Sequence, residues 1–565
     1  MPDTAGSGTV GAVLDVAWVV ELEPGSLAAE VADLRRRLDA AGLHDVGDAE
    51  AVRSADVAIV WADRPLPEGL VRALSGSEVC CVLAGPTVER ADPDGLLGAA
   101  AGLRVDGATP VHDVRVRSTA VARDVAPGAP HRHGDLSHDD VHEHFTDRVA
   151  LSGVAGDDVV VLRVANVGLV EHPVMTWRPA TGTAAWLLGA TPGAVRTTAA
   201  IRSLVQLVRL AAGVPPPSVV RVGLLGYGAI GHEHSRAVRA TTGLELTGVC
   251  DTSTARLEHA QAAAPGIATT TSAEELLARD DVDLVVVSTP PSTHAAWALQ
   301  VIGAGKHLVV EKPFAIATAE ADEVLAAAAA AGRLAVVYQN RRYDPDHLAL
   351  RRAVRAGRLG RVFRLEAFVG GYGHPCNLWH SDEGVSGGAF YDWGSHIIDQ
   401  ILDLVGADVL EVSASAHKLR WFDVTNADHS RVSIRFVDGT EAEFVHSDLA
   451  AALKPRWYVL GTEGAVVGTW RRERVVSRSD IGTLVEDLLA PADSPPLLDL
   501  HSADGSVTRL ATPAAEPYSF HRGLADRLGW GIPMEVTGAQ SRRVLSVMEA
   551  ARHSAAQGSR PVVPR

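Results

Sequence analysis

Residues 219–240 read VVRVGLLGYGAIGHEHSRAVRA, and the rest of the chain is best understood outward from them. An apolar run of strand length (219–226) meets a turn, Gly226-Tyr227-Gly228-Ala229-Ile230-Gly231, of GxGxxG form, and a helical pattern follows to about Ala240. In such a turn the first glycine permits the tight bend and the second lets a pyrophosphate approach the backbone. The third lets helix and strand pack closely, while the helix N-terminus offers N–H groups and positive dipole to the phosphates. Alone the motif is weak, because a glycine-rich turn in an α/β sheet can bind nothing. Here a second apolar run, LELTGVCD (244–251), ends in Asp251, 20 residues beyond Gly231. A carboxylate at that place accepts hydrogen bonds from the adenosine ribose. It also repels a 2′-phosphate, so NAD is expected before NADP, with Arg256 close enough to keep NADP open.

The strand–helix alternation continues through DLVVVST (283–289), HLVVE (307–311) and LAVVYQ (334–339), which predicts a doubly wound parallel sheet over 219–340. Beyond 340 the strands lengthen and alternate: 361–371, 409–417, 430–447 and 456–470. Asp438-Gly439 and Glu463-Gly464 sit where hairpin turns belong, so residues 341–565 are expected to form an α+β unit on a large, mainly antiparallel sheet. A helix over 537–557 closes it. Upstream, Val214-Pro215-Pro216-Pro217-Ser218 reads as a stiff linker, because three prolines continue neither a helix nor a central strand. Residues 1–213 carry short apolar runs at 12–20, 56–62 and 78–85, with an amphipathic helix at 27–42 and a further helix at 197–212. That pattern is an α/β layer of flavodoxin-like type. Residues 122–156, rich in Gly, Asp and His, are expected to be loop.

Composition bounds the function. At roughly 150 residues per domain, 565 residues imply three or four folding units. Apolar residues make up 47% and charged residues 21%, as in ordinary globular chains. With 52 Lys+Arg against 69 Asp+Glu, the net charge of −17 repels phosphate backbones, so a nucleic-acid partner is not expected. The four cysteines (Cys80, Cys81, Cys250, Cys376) show no CxxC spacing, which fits a reducing compartment and excludes a Cys₄ zinc site. No run reaches the length of a membrane span, and a cytoplasmic protein without a membrane partner is expected. Only four of the basic residues are lysines, so a lysine inside a motif stands out from generic surface charge.

Four further strings follow the glycine turn in fixed order: Thr289-Pro290-Pro291-Ser292-Thr293-His294, Glu311-Lys312-Pro313, Asn340-Arg341-Arg342-Tyr343, and GGAFYDWGSHIID (387–399). Together they resemble the glucose–fructose oxidoreductase / inositol dehydrogenase / rhizopine-catabolism (Gfo/Idh/MocA) family over residues 219–565. Pro291 departs from the asparagine more usual there. The resemblance implies a cofactor site of Gly226, Tyr227, Gly228, Ala229, Ile230, Gly231, Asp251, Thr289, Pro290, His294, Glu311 and Lys312. It implies a catalytic set of Lys312, Asp392 and His396, and no metal. The chemistry has its own logic. Asp392, His396 and Asp399 are spaced i, i+4, i+7, which puts them on one helix face among Phe390, Tyr391, Trp393, Ile397 and Ile398. Burying a carboxylate beside an imidazole needs a reason, although Asp392 capping the helix or pairing with His396 would supply a merely structural one. Oxidising an alcohol needs a base for the hydroxyl proton while hydride leaves carbon, and histidine suits that task. By the family pattern His396 is the acid/base, Asp392 orients the substrate hydroxyl, and Lys312 stabilises charge on the reacting oxygen. Asp399 reads as structural. Tyr343, Tyr372, Trp379 and Trp393 could stack on sugar rings or belong to the core.

Residues 1–213 resemble the trehalose-utilisation-type (ThuA-like) branch of the class I glutamine-amidotransferase-like fold, through DVAIVW (56–61), His142-Glu143-His144-Phe145, and His172-Pro173-Val174-Met175-Thr176-Trp177 followed by 181–196. Cys80 and Cys81 lie within an apolar run rather than on a glycine-flanked elbow, which speaks against amidotransfer. His131, His133, His138, His142 and His144 could hold a metal or form a solvated loop; their spacing decides for neither.

The expected function is hydride transfer between NAD(P) and a secondary hydroxyl, C3 being one candidate, of a sugar, glycoside or cyclitol, in a homo-oligomer (dimer or tetramer). Two alternatives stand beside it. One is a glycosidase using NAD transiently for oxidation and elimination; the other is a non-catalytic nucleotide- or sugar-sensing module, which would not need an acid/base set.

Overall fold

The computed structural model describes residues 14–565 except 22–26, 63, 77–78, 86, 91–95, 102, 111–113, 119–140, 145–147, 156–157, 168–169, 188–197, 215–217, 376–378, 471, 480–481, 490–495 and 513–517. The predicted linker prolines and His131, His133 and His138 therefore lie outside the described residues.

The N-terminal strands are β1 (Leu14–Glu21), β2 (Leu43–Gly47), β3 (Val57–Ala62), β4 (Cys81–Ala84), β5 (Leu103–Pro110), β6 (Val114–Ser118), β7 (Val141–His144), β8 (Arg148–Val154), β9 (Val160–Val167), β10 (Val170–Arg178) and β11 (Thr183–Trp186). Nine of them form one sheet in the order β2-β1-β3-β4-β11-β10-β9-β6-β7, while β5 and β8 pair separately. The half from β2 to β11 is parallel and the rest antiparallel. Every residue of β3, VAIVWA, is buried, as a parallel strand covered on both faces must be. Two strands, β7 and β8, fall in the stretch expected to be loop. Their ladders to β6 and β5 come from pairing across the chain, which overrides a Gly- and Asp-rich composition.

The second sheet is the predicted doubly wound one: β12 (Val220–Leu225), β13 (Leu244–Cys250), β14 (Ala268–Thr270), β15 (Leu284–Val287), β16 (His307–Val310) and β17 (Ala335–Val337), all parallel, in the order β14-β13-β12-β15-β16-β17. The third contains β18 (Val362–Gly370), β19 (Val409–His417), β20 (His429–Phe436), β21 (Glu441–Ser447), β22 (Trp457–Gly461), β23 (Gly464–Thr469), β26 (Leu497–Ser502) and β27 (Val507–Arg509), while β24 (Arg472–Ser479) and β25 (Gly482–Leu489) form a separate two-stranded sheet. Along β20, Val432, Ile434 and Phe436 are buried while Arg431 and Arg435 face water, the period of two that a half-buried sheet requires. The two predicted hairpins form at β20–β21 and β22–β23. The sheet is not wholly antiparallel, because β18 lies parallel to β21 at its centre.

Two helices tie the sheets together. The Thr198–Ala211 helix covers one face of the N-terminal sheet, burying Leu204, Val205, Leu207 and Val208. It also meets the Ser519–Trp530 helix near the C-terminus, where Arg202 pairs with Asp526 at 3.2 Å. Trp530 and Ile532 join the N-terminal core, while Phe520, Leu524 and Ala525 pack into the core under the parallel sheet. The N-terminal layer is thus docked as well as tethered. Among the described residues no helix is long and apolar enough to cross a membrane, and no group of three or more His, Cys, Asp or Glu side chains could hold a metal ion.

Candidate active site and cofactor cradle

The cradle begins where β12 runs into the Ala229–Ala240 helix. Gly226 has φ +98°, and a Cβ there would stand 2.6 Å from the Ser288 carbonyl oxygen. At Gly231 a Cβ would stand 2.3 Å from the Gly226 carbonyl oxygen. Both glycines are demanded by the protein itself. Gly228 is different: it caps the helix N-terminus, and a Cβ there would meet nothing within 4 Å. Open space over a bare backbone at a helix N-terminus is what a pyrophosphate needs, and it is the observation by which the residues present fit a dinucleotide. Ala229 is exposed and Ile230 half-buried at the first turn, while the Tyr227 ring is buried.

Asp251 stands at the end of β13 as expected, but it is already employed. Its Oδ2 accepts the Tyr227 N–H (2.7 Å), its Oδ1 accepts the Ser253 N–H (2.8 Å), and Arg256 Nη1 lies 3.5 Å away. The carboxylate therefore holds the glycine turn. Ser288, which sequence reasoning missed, donates to the Gly226 carbonyl (2.8 Å) and closes the turn from β15.

Thr289, Pro290 and His294 follow β15. The Thr289 and Thr293 hydroxyls share a 2.8 Å hydrogen bond, and Thr293 donates to the Pro290 carbonyl at 2.7 Å. The buried His294 ring lies between the Pro313 and Thr289 carbonyls, 2.7 and 2.8 Å from its two nitrogens. It thereby laces the loop after β15 to the turn after β16. Burial pushes this imidazole down, and a neutral ring donates to only one of those carbonyls. Glu311 also turns inward: Oε1 faces His234 Nε2 at 2.9 Å and Oε2 accepts the Lys312 N–H at 3.0 Å.

Lys312, followed by a cis bond to Pro313, points its Nζ at Asp392 Oδ1, 2.7 Å away. Asp392 is not on the face of the Trp393–Val405 helix, contrary to the i, i+4, i+7 expectation. It precedes the first turn with φ −78° and ψ −87°, makes no side-chain cap, and turns out toward the ammonium. The ion pair with Lys312 outcompetes the cap. Asp392 is ringed by protein, yet 44% of its side chain is reachable by solvent, the signature of a group on the wall of a cleft. Burial alone would push its carboxyl up; the Lys312 ammonium more than offsets this and holds it at about 2.

His396, in the first turns of that helix, is buried with its Nδ1 unpartnered. Burial first, then the cations of Lys312, Arg341 and Arg456, push its imidazole well below the ordinary histidine value. Both causes favour the uncharged ring over the imidazolium. Asp399 is structural, as expected: both its oxygens accept from Arg342 (2.7 and 2.5 Å), and neither residue is reachable by solvent to any extent. His380, in the short 3₁₀ helix Trp379–Ser381, escaped the sequence reasoning. Burial pushes its imidazole down, and it lies within the fields of Asp392 and Lys312. Of the aromatics, Tyr343 packs into the core under the parallel sheet, and Trp393 is half-buried with the Arg341 guanidinium 4.8 Å above its ring. Tyr372 and Trp379 stay 56% and 38% exposed.

A parallel sheet with a dinucleotide cradle, set against a lysine–carboxylate pair and a neutral histidine, defines an NAD-binding oxidoreductase. Two family descriptions match in tandem: "Oxidoreductase family, NAD-binding Rossmann fold" over residues 220–339 and "GFO/IDH/MocA C-terminal domain" over 347–467. The chain is 26% identical over 362 residues to scyllo-inositol 2-dehydrogenase (NADP(+)) of Bacillus subtilis, covering 62% of this chain and 97% of that protein. It is 31% identical over 294 residues to 1,5-anhydro-D-fructose reductase of Ensifer adhaerens, covering 52% of this chain and 86% of that one. A crystal structure of a putative oxidoreductase from Klebsiella pneumoniae superposes with TM-score 0.52 at 28% identity, over 61% of this chain and 95% of that one. The chain belongs to the Gfo/Idh/MocA oxidoreductase family through its C-terminal three fifths.

Proposed function

We propose that the protein transfers hydride between NAD(P) and a secondary hydroxyl of a sugar, glycoside or cyclitol. Bound nicotinamide supplies the hydride acceptor or donor. The chain supplies the rest. In the oxidative direction the substrate hydroxyl sits against Asp392, which accepts its hydrogen bond, and His396 takes the proton as the C–H bond gives up its hydride. The Lys312 ammonium stabilises negative charge on the oxygen as the carbonyl forms. In the reductive direction the same groups return the proton. The observation that carries this reading is the 2.7 Å Lys312–Asp392 pair beside a neutral His396. The cyclitol and anhydrosugar named in the two relatives support the substrate class. Gly226, Tyr227, Gly228, Ala229, Ile230, Gly231, Asp251, Thr289, Pro290, His294, Glu311 and Lys312 are read as the cofactor site, with Glu311 and His294 acting through the backbone they hold. Asp251 favours NAD and Arg256 offers a cation to a 2′-phosphate.

Residues 1–213 are read as a trehalose-utilisation-type layer, 219–340 as the dinucleotide unit and 341–565 as the substrate unit of a cytoplasmic homo-oligomer. The parallel half of the N-terminal sheet supports the first of these. The test is NADH or NADPH absorbance with the full chain against a panel of pyranosides, cyclitols and keto-sugars. Turnover of one class with stoichiometric cofactor conversion supports the reading. Glycoside cleavage without net cofactor change, or binding without turnover of any member, overturns it.

A further inference from the structure

His521 lies on the Ser519–Trp530 helix, with no part in the chemistry above, yet it is the far end of a hydrogen-bonded line that stops at Lys312. Its Nε2 is 2.9 Å from His234 Nδ1; His234 Nε2 is 2.9 Å from Glu311 Oε1; Glu311 Oε2 accepts the Lys312 N–H. His234 Nε2 faces the Glu311 carboxyl and His234 Nδ1 faces His521 Nε2, so one N–H joins each pair. The remaining His521 nitrogen, Nδ1, is buried without a partner. Burial and the neighbouring His234 push the His521 imidazole well below the ordinary histidine value. The line is caged by Tyr338, whose ring lies 4.4 Å from His234 and 5.3 Å from His521 and whose hydroxyl donates to Glu233.

The same helix carries the docking contact. Five residues past His521, Asp526 pairs with Arg202 of the N-terminal region, and Trp530 enters the N-terminal core. We infer that His521 is a positioning residue for Lys312, and that the Ser519–Trp530 helix is a strut through which the docked N-terminal region sets the placement of the active-site lysine. The inference rests on the proposed role of Lys312. It gives the N-terminal region a function in the dehydrogenase that requires no site of its own.

The test uses the full chain with His521→Leu, His521→Gln and Asp526→Asn. Two readouts are taken: steady-state turnover of whichever sugar the panel identifies, and acylation of Lys312 by an amine-directed anhydride, followed by mass spectrometry. The second needs no substrate, so it still decides the strut if the proposed function fails. His521→Leu removes the partner of His234 Nδ1 and is expected to lower kcat about tenfold with KM and NAD affinity nearly unchanged, since misplacing a group by 1 Å costs up to about 10²-fold. The Lys312 acylation rate should change with it. His521→Gln, whose amide can donate to or accept from His234 Nδ1, should restore most of both. Asp526→Asn should reproduce the Leu signature while loosening the N-terminal region toward proteolysis. Wild-type turnover and acylation in His521→Leu overturn the inference. So does an Asp526→Asn protein with a loosened N-terminal region and an unchanged Lys312, and so does equal loss in the Leu and Gln variants with lowered Tm. Should the Leu variant fail to fold, the Gln and Asn variants decide alone.

Discussion

Arg202 and Asp526, 324 positions apart, form an ion pair of 3.2 Å with only 6% and 2% of their side chains exposed. A buried pair contributes little net stability, but removing one partner leaves the other charge in a dry interface without its 3.2 Å counter-ion. Arg202→Met is therefore expected to destabilise the protein by about 3–5 kcal/mol, and Arg202→Met/Asp526→Leu to recover most of it. Denaturant unfolding of the single and double variants checks this. Additive losses would mean that the pair is not isolated from water.

Lys312→Met and His396→Ala should each reduce turnover by about 10²-fold or more, the range for lost electrostatic or acid–base assistance. NAD binding, followed by fluorescence or calorimetry, should remain. Wild-type turnover in either variant would remove that residue from the mechanism.

The pH dependence follows from the histidine. Burial and three cations push the His396 imidazole well below 6.5, so the ring stays unprotonated as pH falls through the ordinary histidine range. The acid limb of kcat/KM for oxidation should appear only well below pH 6.5. Arg341→Met removes one of those cations and should move that limb to higher pH. A limb at the ordinary value in both proteins would contradict the assignment. Asp392 carries the opposite sign in stability. Its carboxyl, held at about 2 against an ordinary 3.8, adds stability that is full above 3.8 and lost as pH falls toward 2. Lys312→Met should abolish that acid-side loss.

The glycine turn separates packing from ligand approach. Gly228→Ala places its Cβ in open space, so Tm should hold while NAD binding weakens. Gly231→Ala drives a Cβ to 2.3 Å from the Gly226 carbonyl oxygen and should lower Tm even without cofactor. Equal NAD affinity in Gly228→Ala and wild type would mean that no pyrophosphate approaches there.

Cofactor choice tests Asp251. Asp251→Ala should weaken NAD binding and narrow the NAD/NADP gap. Part of that loss comes from the turn, since Asp251 also holds the Tyr227 N–H. Asp251→Asn keeps an acceptor and drops the charge, so it should narrow the gap with a smaller loss of NAD affinity. An unchanged ratio of the two affinities in both variants would place the discrimination elsewhere.

What the sequence alone determined is local. The glycine turn, Asp251 at the end of the second strand, the parallel alternation and the two hairpins are all written within about twenty residues, where strand and helix periods and turn chemistry suffice. Lys312, Asp392 and His396 were legible as candidate site residues, through their motifs, but not as geometry. Only tertiary structure placed Asp392 off the helix face, because the ammonium that claims it comes from 80 residues upstream. Tertiary structure likewise gave Asp399 to Arg342, set β18 parallel to β21, and made strands of 141–144 and 148–154. It also brought His521 to His234 and Asp526 to Arg202, across 287 and 324 residues. Such pairings rest on which surfaces the folded sheets present to one another, and a buried charge or imidazole takes the partner that packing brings within reach rather than the one sequence spacing suggests.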